Sequence, residues 1–254
     1  MKLYIILMLF SLSFSNGFIL KKAIPRTTTR LFGTKKLNFE KKYTAKSPGQ
    51  LNYKSHLYDK NLDILVCSGP AGTGKTALAC EYSLDSLHSK NCEKVIITRP
   101  TISIEEDIGF LPGDINHKMM PWTAPIYDIF QEYFPKTELD YYIQNKIIEV
   151  CPLGFIQGRT FKNAIIIADE MQNSTPSQTL MLLTRIGENS KMILNGDLKQ
   201  TTIQNNGLYD VINRINLKYP SEDDKYNNGF GVVRLKTEDI QRHPMVEKVI
   251  RLYD

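Results

Sequence analysis

The sequence has few of the residues that build metal centres and disulfide frameworks. It contains four cysteines and four histidines, and no two cysteines form a Cys-x-x-Cys pair. Structural zinc sites are built from such pairs, so the pattern argues against a zinc site. We expect reduced cysteines and a reducing compartment, with Cys67 and Cys80 packing as small apolar side chains.

A large excess of one charge is also missing from most of the chain. The formal net charge is +5, but residues 1–42 hold nine Lys and Arg against a single Glu. The other 23 basic side chains face 26 acidic ones. A broad basic surface for nucleic acid is therefore not supported after residue 42, although a local basic patch remains compatible with the sequence.

No apolar run reaches the length of about 20 residues that a membrane-spanning helix needs. The run Leu3 to Phe14 follows Met1-Lys2 and precedes small or polar residues, which predicts a secretory signal peptide over residues 1–18. Residues 19–42 are rich in Lys, Arg and Thr and resemble an organellar transit peptide. Together they predict a two-part leader for a plastid and a mature protein without a membrane segment. Secretion or membrane anchoring is the alternative.

The chain is organised around a glycine-rich loop, Gly69-Pro70-Ala71-Gly72-Thr73-Gly74-Lys75-Thr76. An apolar run precedes it and an Ala/Leu-rich run follows, so the pattern predicts strand, loop and helix. Glycines let backbone N–H groups surround phosphate oxygens, and the start of the helix adds its positive dipole. Lys75 supplies a cation for the β- and γ-phosphates, and Thr76 supplies a ligand for Mg²⁺. The motif predicts a site for ATP with Mg²⁺.

A second motif places two acids directly after an apolar strand. The run Ala164 to Ala168 ends in Asp169 and Glu170. The carboxyl ends of parallel strands form the edge at which open α/β sheets bind ligands. We therefore expect Asp169 to hold Mg²⁺ through water, and Glu170 to polarise the water that attacks the γ-phosphate.

A third apolar run, Met192 to Leu194, also ends in polar residues. Asn195, Asp197 and Gln200 are candidates for sensing the γ-phosphate or for positioning the attacking water. The sequence Asn-Gly-Asp is equally typical of a turn that caps a helix. The residues alone leave both interpretations open.

Other candidates are single residues. Arg99 directly follows a predicted strand. It either contacts phosphate or nucleic acid, or it forms an ion pair with an acid such as Glu105. Arg159 is a further candidate for such a contact. Four aromatic residues near the start of the domain either stack on an adenine ring or pack at the surface: Phe39, Tyr43, Tyr53 and Tyr58.

Apolar runs separated by helical patterns predict an α/β fold with a mostly parallel central sheet and helices on both faces. The predicted strands are Leu62–Cys67, Lys94–Thr98, Lys146–Val150, Asn163–Ala168, Met192–Leu194 and Val232–Leu235. The predicted helices are Lys75–His88, Pro121–Phe134, Glu138–Asn145, Pro176–Ile186, Gly207–Ile215 and Glu238–Tyr253. Residues 43–61 are expected to form a polar lead-in, and residues 219–229 a surface loop.

The chain from residue 62 to residue 254 resembles the PhoH-like ATPases. The family's core is similar to the first motor domain of superfamily-one helicases, which implies a three-layer, RecA-like P-loop fold. The resemblance rests on motifs that recur in the family's order: Gly69–Thr76, Thr98-Arg99-Pro100, Gly109-Phe110-Leu111-Pro112-Gly113-Asp114, Gln157-Gly158-Arg159-Thr160, Asp169-Glu170-Met171-Gln172-Asn173, Thr184-Arg185-Ile186-Gly187, Gly196-Asp197-Leu198-Lys199-Gln200 and Arg242-His243-Pro244.

This resemblance implies further roles and partners. Gln172 and Gln200 join the ATP site, and Arg242 becomes a finger that reaches the nucleotide of a neighbouring subunit in a ring, expected to be a hexamer. Relatives are linked to RNA metabolism, which implies single-stranded RNA and an RNA-processing nuclease as partners. The chain is too short for a second motor domain or for the KH or PIN domains of relatives. This departure from the relatives weakens the case for autonomous unwinding and for nuclease activity.

Hydrolysis of ATP with Mg²⁺, on a P-loop sheet of the additional-strand type, is the function that these features favour. Lys75, Glu170, Gln200 and Arg242 are the expected catalytic residues. Two alternatives stay open: a nucleotide-gated RNA-binding component with little turnover, and a small-molecule phosphotransferase. Glu170 suits water as the acceptor of the phosphoryl group, which favours hydrolysis over transfer to a metabolite.

Overall fold

The computed structural model describes residues 41–100, 124–201 and 203–241, together with Met245 and Val249. The chain divides into two units, Met1–Asn38 and Phe39–Asp254, and every described residue belongs to the second unit. The predicted leader therefore lies almost entirely outside the described residues. The same holds for the motif from residue 109 to residue 114 and for Arg242, His243 and Pro244.

Six strands of the described chain form one sheet in which every neighbouring pair is parallel. Their bounds are β1 Ile64–Ser68, β2 Lys94–Arg99, β3 Ile148–Pro152, β4 Ala164–Ala168, β5 Lys191–Gly196 and β6 Phe230–Arg234. The order across the sheet is β3-β2-β4-β5-β1-β6. Strand β5 thus separates β1, which precedes the glycine loop, from β4, which precedes the paired acids. This order confirms the predicted additional-strand type.

Helices cover both faces of the sheet. Their bounds are α1 Pro48–Tyr58, α2 Lys75–His88, α3 at residues 124–131, α4 Lys136–Gln144, α5 Pro176–Leu183, α6 Gly207–Lys218 and α7 Glu222–Asn227. Short 3-10 turns occur at Leu153–Ile156, Met171–Asn173 and Thr237–Asp239. Within the described residues, no helix combines the length and the apolar character that a membrane span requires.

Two apolar clusters divide the core between the two faces. Helices α1 to α4 contribute to one cluster, and α5 and α6 contribute to the other. Successive residues of β1 alternate between the clusters, with Leu65 and Cys67 in the first and Val66 in the second. This alternation is the two-residue period of a β-strand. The resulting helix, sheet and helix layers confirm the predicted α/β fold class.

The apolar runs located the strands well. All six predicted strands are confirmed, with ends displaced by no more than two residues. The helix predicted from Lys75 to His88 has the predicted bounds, whereas the one predicted from Pro176 to Ile186 ends at Leu183. Of the last predicted helix, Thr237–Asp239 forms a 3-10 turn at its start, and most of the remainder lies outside the described residues.

Helix α1 lies in the stretch for which the sequence predicts only a polar lead-in. The Ser47 hydroxyl accepts a hydrogen bond from the Gln50 backbone N–H, and the Gln50 side-chain oxygen accepts one from the Ser47 backbone N–H, which forms a capping box. Pro48 occupies the first turn, where its missing N–H costs nothing. The helix buries Tyr53 and Leu57 completely. The capping box was the available sequence signal for this helix.

Helix α7 interrupts the segment predicted to be a surface loop. The Ser221 hydroxyl accepts a hydrogen bond from the Asp224 backbone N–H at 3.0 Å and caps the helix. Three acids, Glu222, Asp223 and Asp224, occupy the first turn, where the helix dipole stabilises negative charge. The loop prediction is therefore wrong in its middle, because polar composition hid a strong helix start.

Candidate active site

The glycine loop connects β1 to α2. Gly72 and Gly74 each have a φ of +83°, which residues with side chains rarely adopt. The Thr73 hydroxyl donates to the Pro70 carbonyl at 2.8 Å and closes the turn. Helix α2 begins at Lys75, and the N–H groups of a first helical turn have no partner within the helix. The loop therefore presents backbone donors of the kind that bind phosphate.

The Lys75 side chain folds back onto the loop. Its ammonium donates to the carbonyls of Gly69 at 2.6 Å and Pro70 at 2.8 Å. Burial lowers the pKa of Lys75 from its ordinary value, although nearby acids oppose that shift. The ammonium is thus held at the loop by two neutral acceptors. A phosphate oxygen carries a full charge and is the stronger acceptor for such a donor.

Asp169 meets the loop from across the sheet. The Thr76 hydroxyl donates to Asp169 Oδ1 at 2.9 Å. The Arg99 guanidinium donates to Asp169 Oδ2 at 2.6 Å, and the Asp169 side chain is only 2% exposed. Of the alternatives for Arg99, the structure supports an ion pair with an acid. That acid is Asp169, while Glu105 lies outside the described residues.

Glu170 has a left-handed backbone, with a φ of +57°, and lines the same cavity as Lys75. The side-chain amide of Gln172 donates to Glu170 Oε2 at 2.6 Å. The carbonyl oxygen of the same amide accepts from the Asp197 backbone N–H at 3.0 Å. A side chain at Gly196 would place its Cβ only 2.5 Å from that oxygen, so glycine is required there. Gln172 is buried behind the residues that line the cavity, and it orients Glu170.

The polar residues after β5 separate into two groups. Asp197 and Gln200 line the cavity, as candidates for contact with a ligand must. Asn195 is fully buried beneath it, where its side-chain oxygen accepts from the Tyr53 hydroxyl at 2.8 Å. Tyr53 is therefore a core residue, neither a surface aromatic nor a stacking residue. Among these three candidates, Asn195 is the one that the structure places away from the cavity surface.

One cavity of about 560 Å³ joins these residues to a second set. We call the first set the loop end: Gly72, Lys75, Thr76, Asp169, Glu170, Asp197 and Gln200. We call residues 42–46 the strap, and the strap end comprises Lys42, Tyr43, Thr44, Lys46, Gln50, Leu78 and Ile129. The volume suits a ligand of nucleotide size.

Tyr43 is fixed at the strap end by two carboxylates. Its backbone N–H donates to Glu81 Oε2 at 2.7 Å, and its hydroxyl donates to Glu132 Oε1 at 2.9 Å. Burial and the adjoining Glu132 carboxylate raise the pKa of Tyr43 to about 12, so the hydroxyl stays protonated at neutral pH. Both the backbone and the ring of this residue are therefore held in place beside the cavity.

Glu81 is a buried acid on the apolar face of α2, with a side chain 1% exposed. Besides the Tyr43 N–H, it accepts from the Tyr133 hydroxyl at 2.8 Å and contacts the Lys54 ammonium at 3.5 Å. Buried carboxylates are costly unless such donors surround them. The network joins the strap to α1, α2 and the chain after α3. Sequence reasoning missed Glu81, and its signal was a single acid within an apolar helical stripe.

The loop is also held from the side of α1. The Gln50 amide donates to the Thr73 carbonyl at 3.0 Å and to the Asp239 carbonyl at 3.2 Å. The backbone N–H of Gln241 donates to the Gly72 carbonyl at 3.0 Å. Segments from both ends of the described domain thus fix the loop, and the sequence predicted neither contact.

Two further predicted residues have different outcomes. Arg159 forms a bidentate pair with Glu149, at 2.6 and 2.7 Å, which lowers the pKa of that carboxyl. Glu149 lies on β3, and neither residue lines the cavity. Arg242 lies outside the described residues, so its predicted role as a finger stays a prediction.

The loop end fits Mg²⁺ by the chemistry of its donors. Thr76 Oγ1 and Asp169 Oδ1 are oxygen atoms 2.9 Å apart, and oxygen is the donor that Mg²⁺ prefers. Across the described ranges, no group of three or more His, Cys, Asp or Glu side chains forms a metal cage. Mg²⁺ usually binds through one or two protein oxygens together with substrate phosphates, so such a cage is not needed.

Comparisons with known proteins found relatives of this chain. Residues 42–254 match the family model described as PhoH-like protein. A PhoH-like protein of Synechocystis sp. is 38% identical over 192 residues, covering 76% of this chain and 57% of that protein. A PhoH-like protein of Bacillus subtilis is 37% identical over 214 residues, covering 84% of this chain and 65% of that protein. The chain thus spans about three fifths of the length of these curated relatives.

A search of solved structures returned the Sulfolobus solfataricus SWI2/SNF2 ATPase core in complex with dsDNA. It superposes with a TM-score of 0.43 and 11% sequence identity, over 79% of this chain and 47% of that chain.

Proposed function

Because this chain belongs to the PhoH-like family, we propose that it is a Mg²⁺-dependent ATPase whose active site is the cavity between the glycine loop and the strap. The nucleotide-binding fold follows from the sheet order and the loop. Hydrolysis, the bound metal and the partners are the proposal. Hydrolysis and the metal rest on the side chains that the fold brings together.

The observation that carries the proposal is the convergence of Lys75, Thr76 and Asp169 at the loop end. Thr76 and Asp169 are 93 positions apart in sequence yet hydrogen-bonded at 2.9 Å. Lys75 is the residue before Thr76 and lines the same cavity as Asp169. A cation, a hydroxyl and a carboxylate beside backbone N–H donors form the set that binds a triphosphate with its metal.

The residues that line the two ends of the cavity support one orientation of ATP. With the triphosphate at the loop end, the nucleoside extends toward the strap end, where Tyr43, Leu78 and Ile129 offer apolar surface. Glu81, which holds Tyr43, follows Lys75 by six helical positions, about 9 Å along the axis at 1.5 Å per residue. On binding, the Lys75 ammonium exchanges the two loop carbonyls for charged phosphate oxygens, a stronger pairing.

The metal is assigned to Thr76 and Asp169. When bound, Mg²⁺ neutralises charge that develops on the β- and γ-phosphates. Thr76 offers its hydroxyl oxygen as a ligand while donating its proton to Asp169. Asp169 keeps that hydroxyl oriented and accepts hydrogen bonds from the water around the ion.

Glu170 is assigned to the attacking water. The water oxygen bonds to the γ-phosphorus as the bond to the β–γ bridging oxygen breaks, giving ADP and inorganic phosphate. The Glu170 carboxylate polarises the water and accepts its proton. Gln172 holds Glu170 through the 2.6 Å hydrogen bond. Gln200, which is exposed and lines the loop end, is assigned to contact with the γ-phosphate.

The test is turnover of ATP by the full chain with and without Mg²⁺. The Glu170→Gln variant should bind ATP as the parent does but lose turnover by at least about 100-fold, because general-base catalysis contributes that much. Glu188→Gln is the matched control, since Glu188 is an exposed acid paired with Lys162. Turnover at the parent rate in Glu170→Gln would remove the role given to Glu170.

The finer proposal couples this ATPase to RNA metabolism. It rests on the family resemblance alone. Composition adds no support, because the chain after residue 42 carries no excess of basic residues. Single-stranded RNA should raise the rate of ATP turnover, and the effect should fall steeply with salt if phosphate contacts carry it. Turnover that ignores RNA at low salt would leave an ATPase without this coupling.

A further inference from the structure

Arg99 has a geometric relation to the active site that the proposed mechanism does not use. Strands β2 and β4 are neighbours, and their register pairs Thr98 with Ala168. The next residues along the two strands, Arg99 and Asp169, therefore lie side by side at the carboxyl edge. The Asp169 backbone N–H also donates to the Thr98 carbonyl at 2.9 Å, which fixes the start of the turn.

Both carboxylate oxygens of Asp169 have a protein donor. Oδ1 accepts from the Thr76 hydroxyl at 2.9 Å, and Oδ2 accepts from the Arg99 guanidinium at 2.6 Å. The two partners of the ion pair are 2% and 15% exposed, so water screens their attraction weakly. An arginine is protonated at every physiological pH. Arg99 therefore keeps its positive charge beside Asp169, and the short contact is a strong charge-assisted hydrogen bond.

A divalent cation and a guanidinium compete for Asp169. Both are attracted by the negative charge of the carboxylate, and both bind to the lone pairs of its oxygen atoms. The Arg99 charge at Oδ2 cancels much of the attraction that Asp169 exerts on a cation at Oδ1. The same charge has the opposite effect on a triphosphate, because it adds to the positive potential that draws the anion to the loop end.

We propose that Arg99 is a positioning residue that balances the charge of Asp169 and thereby sets the affinity of the site for its divalent cation. The inference rests on the proposed function, since it assumes that Asp169 serves the metal. It assigns to Arg99 neither contact with RNA nor contact with the transferred phosphate. Arg99 keeps Asp169 oriented toward Thr76. Its positive charge also favours binding of the nucleotide when no metal is bound.

In Arg99→Gln, the affinity for a divalent cation and the affinity for metal-free ATP should change in opposite directions. Like charges held a few ångströms apart repel strongly away from bulk water, so loss of the Arg99 charge should tighten binding of a cation at Asp169 by about 10-fold or more. Mn²⁺ is the probe, titrated into the full chain with ATP present and followed by the electron paramagnetic resonance of free Mn²⁺. In EDTA, binding of ATP itself should weaken. A merely structural role would weaken both.

Arg159→Gln is the matched control, because Arg159 also forms an ion pair with a strand carboxylate but does not line the cavity. It should change neither Mn²⁺ nor ATP binding. Arg99→Lys keeps the charge without the planar fork and should leave Mn²⁺ binding close to that of the parent. If Arg99→Gln does not fold by circular dichroism, Arg99→Met, which also removes the charge, decides the question in the same way.

Unchanged or weaker Mn²⁺ binding in a folded variant that lacks the Arg99 charge would overturn the inference and leave the ATPase proposal intact. A parent chain that binds neither ATP nor Mn²⁺ would overturn both. Tighter Mn²⁺ binding in Arg99→Gln with weaker metal-free ATP binding supports the assignment.

Discussion

The two ends of the cavity are built in different ways. The loop end consists of short motifs that follow β1, β4 and β5, and the parallel sheet brings their carboxyl ends to one edge. The strap end consists of residues from the strap, α1, α2 and α3, joined by side-chain contacts. Backbone topology therefore places the groups of the loop end, whereas tertiary packing places those of the strap end.

This difference separates two kinds of binding. At the loop end, Lys75 and the backbone N–H groups recognise charge, which every triphosphate carries. At the strap end, Tyr43 and Ile129 offer surface to a nucleoside. Inorganic tripolyphosphate is thus a probe of the loop end alone, while ATP probes both. The three predictions below use this pair of ligands.

The largest effect is expected at Lys75. Lys75→Ala should weaken binding of both ATP and tripolyphosphate by about 100-fold, because charge-assisted hydrogen bonds contribute about 1.5–3 kcal/mol each. Equilibrium binding to the full chain, in Mg²⁺, measures both ligands. Lys162→Ala is the control, since Lys162 is an exposed lysine paired with Glu188. Parent affinity in Lys75→Ala would mean that the triphosphate does not lie on the loop.

A smaller and selective effect is expected at Tyr43. Tyr43→Ala should weaken ATP binding by about 10-fold, because stacking of a base on an aromatic ring contributes about 1–3 kcal/mol. Tripolyphosphate binding should not change. Tyr209→Ala, at an exposed tyrosine of α6, is the control. An equal loss for both ligands would show that Tyr43 supports the loop end and does not contact the nucleoside.

The smallest effect on binding is expected at Glu81, which acts through Tyr43. Glu81→Gln keeps an acceptor for the Tyr43 N–H but loses the charge that faces Lys54. We expect ATP binding to weaken by about 3-fold, and the free energy of unfolding to fall by about 2 kcal/mol, since charged hydrogen bonds are weakened inside the protein. Glu138→Gln, at a less buried acid that also accepts from a tyrosine hydroxyl, is the control.

For Glu81→Gln the informative quantity is the loss of affinity for ATP relative to the loss of affinity for tripolyphosphate. Urea unfolding and the same binding assay on each variant separate stability from recognition. A folded Glu81→Gln chain with parent affinity for ATP would show that the strap holds its position without this network.

The contrast also explains how far the sequence could predict the structure. The strands and the loop end were predictable, because apolar runs fix a parallel sheet and the chemistry of Lys75, Thr76 and Asp169 follows from position along it. The partner of Arg99 stayed open, because an ion pair between two strands depends on strand order. That order places β2 beside β4 and became known with the fold.

Other residues were beyond a motif search for a related reason. Gln172 was assigned to the ATP site by resemblance, and the structure places it behind the wall, where it contacts Glu170. Tyr53 looked like a surface aromatic because its neighbours are polar, yet it is buried against Asn195. Both outcomes depend on contacts between distant segments, which local composition does not encode. Helix α1 is different, since its capping box was present in the sequence.

The account depends on Lys75 and Asp169 acting on one metal-bound triphosphate. A crystal structure of the full chain with Mg²⁺ and a non-hydrolysable ATP analogue tests this directly. We predict that the Lys75 ammonium leaves the carbonyls of Gly69 and Pro70 for the β- and γ-phosphates. The ion should bind at Thr76 with Asp169 holding it through water, and the nucleoside should lie beside Tyr43. An analogue bound elsewhere, with Lys75 still on the loop carbonyls, would contradict the account.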